Sequence, residues 1–248
     1  MGVLKTLPDE SIDCVITSPP YYSLRDYGVE GQLGLEKSLS EYLDKMLLVT
    51  AELHRVLKDV GTLWWNHGDN YSHKQSMGNQ GKNGGRADRR FTVNGIPGRT
   101  DTPEKSLTLQ AHRLAVRMID EQGWILRNQI IWHKPNVMPA SVKDRFTVDF
   151  EPIFFFTKSK KYYFEQQLEK STYTDSRLNK GRFIYKGKRQ GKAGTGTAAV
   201  IQVTERKNKR AVWQETTRPF EDAHFATFPE TLIETPVRAG CPPGGGRP

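Results

Sequence analysis

Asp13-Cys14-Val15-Ile16-Thr17-Ser18-Pro19-Pro20-Tyr21-Tyr22 is the stretch on which the fold turns. With Ile12, its first half is a short run of apolar and β-branched residues, the pattern of one buried strand. Pro19 and Pro20 cannot donate to a ladder, so the chain must leave the sheet at Ser18. A buried strand that ends in a polar residue, two prolines and an aromatic delivers them to the C-terminal edge of a sheet. That edge is where α/β proteins bind ligands. The two fixed φ angles let nearby carbonyls be aimed with little entropy left to lose. A planar heterocycle could stack on Tyr21 while Ser18 and the Pro19 carbonyl accept hydrogen bonds from an exocyclic amine. The same residues serve equally well as a strand-terminating turn, and the residues alone leave both readings open.

Downstream, Ser38-x-x-Glu41 is a capping box that opens a helix with apolar Tyr42, Leu43, Met46, Leu47, Leu53, Val56 and Leu57. Gly61 is expected to end it, and residues 62–66 to restart as a strand. Residues 73–105, rich in Gly, Asn, Lys and Arg, read as a long mobile loop. A second helix is expected from about Ser106 to Gln122, closed by Gly123, with strands at about 125–133 and 152–157. A last helical stretch near 229–238 precedes a Pro/Gly-rich end. Strands alternating with helices specify an α/β sheet, and no internal repeat is visible.

Of the 248 residues, 36% are hydrophobic, enough for a core and too many for wholesale disorder. There is no run of about 18 apolar residues, so no membrane-spanning helix is expected, and the start carries no secretory signal. Cys14 and Cys241 form neither a disulfide framework nor a zinc spacing, which points to a reducing, cytoplasmic setting. The net charge of +9 is unevenly spread: residues 158–210 hold 15 basic and 4 acidic side chains, leaving −2 for the remainder. A basic block on a near-neutral body favours a polyanion partner, nucleic acid above all, over a merely solvated surface. Tyr162, Tyr163, Phe164, Tyr173, Phe183, Tyr185 and Trp213 could stack on bases there or simply pack.

The stretch DCVITSPPYY resembles the catalytic motif of the amino DNA methyltransferases, which move a methyl group from S-adenosylmethionine to an exocyclic base nitrogen. The resemblance continues in the order of the permuted β group. GQLGLEKSLSEYL (31–43), GTLWWNHGDNY (61–71), IIWHKPNVMPASVKDRFTVDFEPIFFFTKSKKYYF (130–164) and AHFATFPETLIETPVRAGCPPGG (223–245) are similar to its successive segments. It implies an incomplete Rossmann-like methyltransferase sheet with a basic target-recognition insertion. The catalytic α/β part would be 1–157, the recognition region 158–213, and the cofactor-closing segment and tail 214–248.

By the same resemblance, Ser18 and the Pro19 carbonyl would accept the amino protons, Pro20 would stiffen the loop, and Tyr21 would stack on a base rotated out of double-stranded DNA. Thr17, Thr227, Phe228 and Pro229 are the implied contacts to S-adenosylmethionine. Residues 227–229 also read as a plain helix-entry loop. Lys134, Lys186, Lys188, Arg189, Arg206 and Lys207 are the candidate DNA contacts, although Lys134-Pro135-Asn136 is equally an ordinary turn. Ser18 before Pro-Pro-Tyr favours cytosine N4 over adenine N6. Neither cysteine sits as a ring-carbon methyltransferase would place its nucleophile. His67, Asp69 and His73 fit no metal site and read as solvated loop residues, and Gly194-Thr195-Gly196 lacks the context of a phosphate loop.

The family's glycine loop for the cofactor, expected after the closing segment, has no counterpart before Pro248, and the start lies inside the usual lead-in. These features suggest a truncated chain, weak or inactive alone, or one part of a split enzyme whose second chain supplies the glycine loop. A non-catalytic DNA-binding remnant is the rival reading. A companion restriction enzyme fits the family.

Overall fold

A computed structural model describes residues 2–24, 29–72, 102–170, 183–185, 199–201, 206–217 and 228–244. In chain order its main elements are β1 (Ile12–Thr17), α1 (Leu39–Val56), β2 (Leu57–Asn66), α2 (Gln110–Gln122), β3 (Ile125–His133) and β4 (Phe150–Thr157). Short strands β5 (Leu168–Lys170), β6 (Phe183–Tyr185), β7 (Ala199–Ile201), β8 (Arg206–Asn208) and β9 (Val212–Gln214) precede α3 (Glu230–Gly240).

The chain leaves β1 at Ser18, as the two prolines require. Ser38 caps α1, its hydroxyl accepting from the Glu41 N–H at 3.1 Å. The Glu41 carboxylate reaches back to the Lys37 N–H at 3.3 Å, so the box closes one residue early. Gly61 does not end this helix. The helix stops at Val56 and Leu57 opens β2 directly, leaving Gly61 inside the strand. A Cβ there would lie 2.8 Å from Leu57 Cγ and 2.9 Å from the Asp13 carbonyl oxygen; close approach of β1 is what demands glycine. The second helix begins at Gln110 rather than Ser106, because the preceding residues pair instead with the segment after β2: the Thr108 N–H donates to the Asn70 carbonyl at 2.9 Å. It ends as expected on Gly123, at φ +75°.

Five strands form one mixed sheet in the order β1-β2-β4-β3-β9. β2 runs parallel to β1, β4 antiparallel to both β2 and β3, and β9 parallel to β3. This register sets Thr17 opposite Trp65, Asn66 opposite Ile153, and Trp132 opposite Glu151. Alternation along the strands then divides the apolar side chains between two cores. Leu63, Trp65, Phe154 and Phe156 face α1 and α2, where they meet Tyr42, Met46, Leu114 and Met118. Trp64, Ile130, Trp132, Ile153, Phe155 and Trp213 face the other way and meet Leu232 and Ala239 of α3. Trp64 and Phe155 stack at 4.1 Å, nearly parallel. Helices on both faces of a mixed sheet make the α/β architecture read from the sequence.

Residues 166–210 cluster as a second compact unit, apart from 1–165 with 211–248. Within it β5 pairs antiparallel with β8, and β6 with β7. Among the described residues no helix is long and apolar enough to cross a membrane.

Candidate active site

The loop from Ser18 to Ser23 is held by four groups from other parts of the chain. Its Pro20 carbonyl accepts from the Tyr42 hydroxyl of α1 at 2.8 Å. The Tyr22 N–H donates to Gln110 Oε1 of α2 at 2.7 Å, and the Tyr22 carbonyl accepts from Asn70 Nδ2 at 2.6 Å. The Ser23 N–H donates to the Gly34 carbonyl at 2.6 Å. Gly34 has φ +97°, and a Cβ on it would come within 2.8 Å of the Tyr21 carbonyl oxygen, so two separate requirements select glycine there.

Beneath this loop lies His67, fully buried at the end of β2 rather than solvated as its polar setting suggested. Its tautomer follows from its neighbours. The Trp65 indole can only donate, and its Nε1 stands 3.2 Å from His67 Nδ1, so Nδ1 is unprotonated and Nε2 carries the hydrogen. Nε2 lies 3.1 Å from the Tyr42 hydroxyl oxygen and 3.4 Å from Gln110 Oε1. Tyr42 accepts there and donates to Pro20, giving a directed row Trp65–His67–Tyr42–Pro20. Burial pulls the imidazole pKa down to about 3, against the hydrogen bond with Gln110. Protonating Nδ1 would also set two donors face to face. Asp69, grouped with His67 in the sequence, ties the end of β2 to the start of α2 instead: its Oδ1 accepts from the Thr108 hydroxyl at 2.5 Å and the Gln110 N–H at 3.4 Å. Among the described residues no cluster suits a metal ion.

Tyr21 rests one ring face on His67, with centroids 5.2 Å apart. Gly68 borders the ring so closely that a Cβ would lie 2.6 Å from Tyr21 Cε2. The Tyr21 hydroxyl has three oxygen neighbours: Glu151 Oε2 at 2.9 Å, Ser18 Oγ at 3.0 Å and Asn66 Oδ1 at 3.2 Å. Its single proton goes to the nearest and the only ionisable one, Glu151, in a charge-assisted bond. Ser18 therefore donates to Tyr21, and its lone pairs remain available to accept. Burial, and then the negative charge of Glu151, hold the Tyr21 phenol well above its ordinary range, so it stays protonated.

Glu151 is itself paired through Oε1 with Lys134 Nζ. That ammonium also sits 4.2 Å above the Trp132 ring. Both partners are largely withdrawn from solvent, with side chains 15% exposed for Lys134 and 20% for Glu151. Lys134 is thus brought beside the loop, engaged by a carboxylate.

The sequence-expected residues fall into three groups. Ser18, Pro19, Pro20 and Tyr21 come together at the end of β1, with Thr17 the last strand residue. Phe228 is half-buried against the second core, as are Cys14 and Ile16 of β1, and Pro229 stands at the N-cap position of α3. Arg206 and Lys207 lie on β8, where Lys207 Nζ approaches Glu169 to 3.5 Å. Lys186, Lys188, Arg189, Thr227 and His73 fall outside the described residues, as does 73–101 of the expected loop. Cys14 is no activated nucleophile: burial pushes its thiol up to about 11.

Sequence reasoning missed Tyr42, Asn66, His67, Gln110 and Glu151. Two signals were there to find. Glu151 is a carboxylate at the head of the apolar run 152–157, and His67 comes two residues after the strand residue Trp65, within the same run as Trp64-Trp65-Asn66.

The family model for N6/N4 methyltransferases, described as DNA methylase, matches residues 12–246. The chain belongs to the amino DNA methylase family. The match runs from β1 through α3, so the separated segments that resembled the family form one continuous alignment. Relatives of this methylase include the Type II methyltransferase M.Cfr9I of Citrobacter freundii, 39% identical over 98% of this chain and 71% of that one. M.XycI of Xanthomonas campestris pv. cyanopsidis is 40% identical over the same shares. Among solved structures, the PvuII DNA methyltransferase (cytosine-N4-specific) superposes with a TM-score of 0.57 over 97% of this chain and 67% of that one. At 18% identity that likeness concerns the fold.

Proposed function

We propose that this methylase transfers a methyl group from S-adenosylmethionine to an exocyclic amino nitrogen of a base in duplex DNA, with cytosine N4 favoured over adenine N6. The observation that carries the reading is the hydrogen-bond order at Ser18. Its proton is engaged by Tyr21 at 3.0 Å, so its lone pairs can receive an amino N–H. Tyr42 occupies the Pro20 carbonyl and so fixes the loop one residue beyond the Pro19 carbonyl, the second acceptor this chemistry needs. Exocyclic amines are weak nucleophiles because their lone pair is delocalised. Two acceptors on the amino protons favour a pyramidal nitrogen, and holding it in line does most of the rest.

S-adenosylmethionine would supply an already activated methyl group on its sulfonium. The Thr17 hydroxyl ends β1, and Phe228 offers an aromatic surface on the same core that Ile16 packs against. These two, with Thr227 and Pro229, are the proposed contacts. Lys186, Lys188, Arg189, Arg206 and Lys207 are proposed to meet DNA phosphates, and Lys134 to approach the DNA near Tyr21. The naming of relatives as Type II methyltransferases favours a companion restriction enzyme.

The test is radiolabelled methyl transfer to unmethylated duplex DNA, with Ser18→Ala and Tyr21→Ala beside the unaltered chain. Label that enters DNA and disappears in both variants supports the reading, and digestion to nucleosides names the base. DNA binding that weakens steeply with salt, without methyl transfer, would instead favour a non-catalytic DNA-binding protein.

A further inference from the structure

Forming a new bond on an amino nitrogen leaves it positively charged until one N–H proton departs, so the site needs a destination for that proton. Ser18 is a neutral alcohol. Tyr21 is a phenol with a carboxylate beside it. Neither can keep an extra proton, but each can take one while passing on its own. The first anionic group beyond them is Glu151, whose Oε2 lies 2.9 Å from the Tyr21 hydroxyl, with Ser18 Oγ 3.0 Å away on the other side of that hydroxyl. Asn66 Oδ1, at 3.2 Å, belongs to a neutral amide that cannot hold the proton.

We infer that Glu151 is the terminal proton acceptor of the methylation, reached through the Ser18 and Tyr21 hydroxyls, with Lys134 holding the carboxylate from its other oxygen. This rests on the amino-methylation reading above. The N–H bond of the methylated amine breaks and its electron pair stays on nitrogen, cancelling the charge there. Ser18 Oγ gains that proton as its own moves to Tyr21, whose proton in turn moves to Glu151 Oε2. Both hydroxyls are restored, and the carboxylate becomes a carboxylic acid. Its side chain is partly exposed, so the proton can pass on to water before the next turnover. The Tyr21 ring would thus serve through its hydroxyl as well as through its face.

The test compares the unaltered chain with Glu151→Gln, Glu151→Asp and Tyr21→Phe in single-turnover methyl transfer across a pH series, in water and in deuterium oxide. Glu151→Gln keeps an oxygen for Tyr21 to bond but removes the acceptor. A loss of about 100-fold or more is expected, as for removal of a general base. The acid limb of the rate profile should vanish in Glu151→Gln and return in part in Glu151→Asp. The deuterium effect of the unaltered chain should reflect more than one proton in flight and shrink in Tyr21→Phe. DNA affinity and unfolding midpoint report whether each variant is folded. A role confined to holding the loop would lower the rate equally at every pH. That result, or Glu151→Gln within twofold of the unaltered chain, overturns the inference while leaving the methylase reading intact. No transfer by the unaltered chain overturns both. Separately from activity, a 13C-carboxyl signal from Glu151 already in the acid form at pH 7 would overturn the relay, since its acceptor would be full.

Discussion

Lowering the pH from 7 to 5 is expected to remove about 2 kcal/mol of folding stability through His67 alone. The imidazole is fully buried, and burial takes its pKa from 6.5 to about 3, opposed by the Gln110 hydrogen bond and reinforced by the charge of His112. The unfolded chain therefore takes up this proton first. The contribution is complete above pH 6.5 and drains away as pH falls from there toward 3, by about 1.4 kcal/mol per unit. At pH 5 the solution is 1.5 units below the unfolded value, and about 2 kcal/mol follows. Urea unfolding at pH 7, 6 and 5 measures it, run on the unaltered chain and on His67→Gln. The glutamine amide can accept from Trp65 and donate to Tyr42, but it does not titrate. Carboxylates titrate in both proteins and cancel in the comparison. Parallel pH dependences would show that His67 is not held neutral, and the assigned order of the Trp65–His67–Tyr42 bonds would fall with it.

Three substitutions probe the rest of the site. Tyr42→Phe strands the Pro20 carbonyl and is expected to cost about 1–3 kcal/mol in urea unfolding, with slower methyl transfer at unchanged DNA affinity. Gly68→Ala would set a methyl 2.6 Å from Tyr21 Cε2 and 3.2 Å from Glu151 Cδ; methyl transfer should fall at least tenfold, alongside about 1–3 kcal/mol of overpacking in unfolding. Gly240→Ala would bring a methyl to 2.3 Å from Thr62 Oγ1 and 2.6 Å from Trp64 Nε1, on the sheet face of the second core. It should lower the unfolding midpoint by an amount equivalent to about 1–3 kcal/mol of overpacking, and activity should survive wherever the chain is folded.

What could be read in advance was whatever depends on neighbours in the chain. The prolines stop β1, Ser38 caps α1, Gly123 closes α2, and the alternation at Trp64 and Trp65 already assigns two faces. What escaped depends on register between strands distant in sequence. Glu151 reaches Tyr21 across 130 residues and Asn66 across 45, and it takes the parallel pairing of β1 with β2 and the antiparallel pairing of β2 with β4 to bring them together. Periodicity states which side chains are buried; it does not state which strand end lies beside which. Gly61 shows the same limit from the other side. A glycine after a helical pattern reads as a stop, but here the constraint is the Asp13 backbone, which no local pattern reveals. His67 was misjudged because a histidine close to Gly and Asp resembles a surface turn, whereas a donor, the Trp65 indole, and an acceptor, the Tyr42 hydroxyl, already wait for it inside.

The row from Trp65 to Pro20 has one further consequence, for inheritance. An indole can only give a hydrogen and a prolyl carbonyl can only take one, so the two ends fix the direction of every bond between them. His67 and Tyr42 have no choice of orientation left. A change at either must preserve an acceptor facing Trp65 and a donor facing Pro20, or be matched by a simultaneous change at the other. Descendants of this chain should therefore vary at Trp65, His67 and Tyr42 only through exchanges that keep this direction, as glutamine at 67 would, whereas the acceptor at 20 is a backbone carbonyl that any residue there supplies.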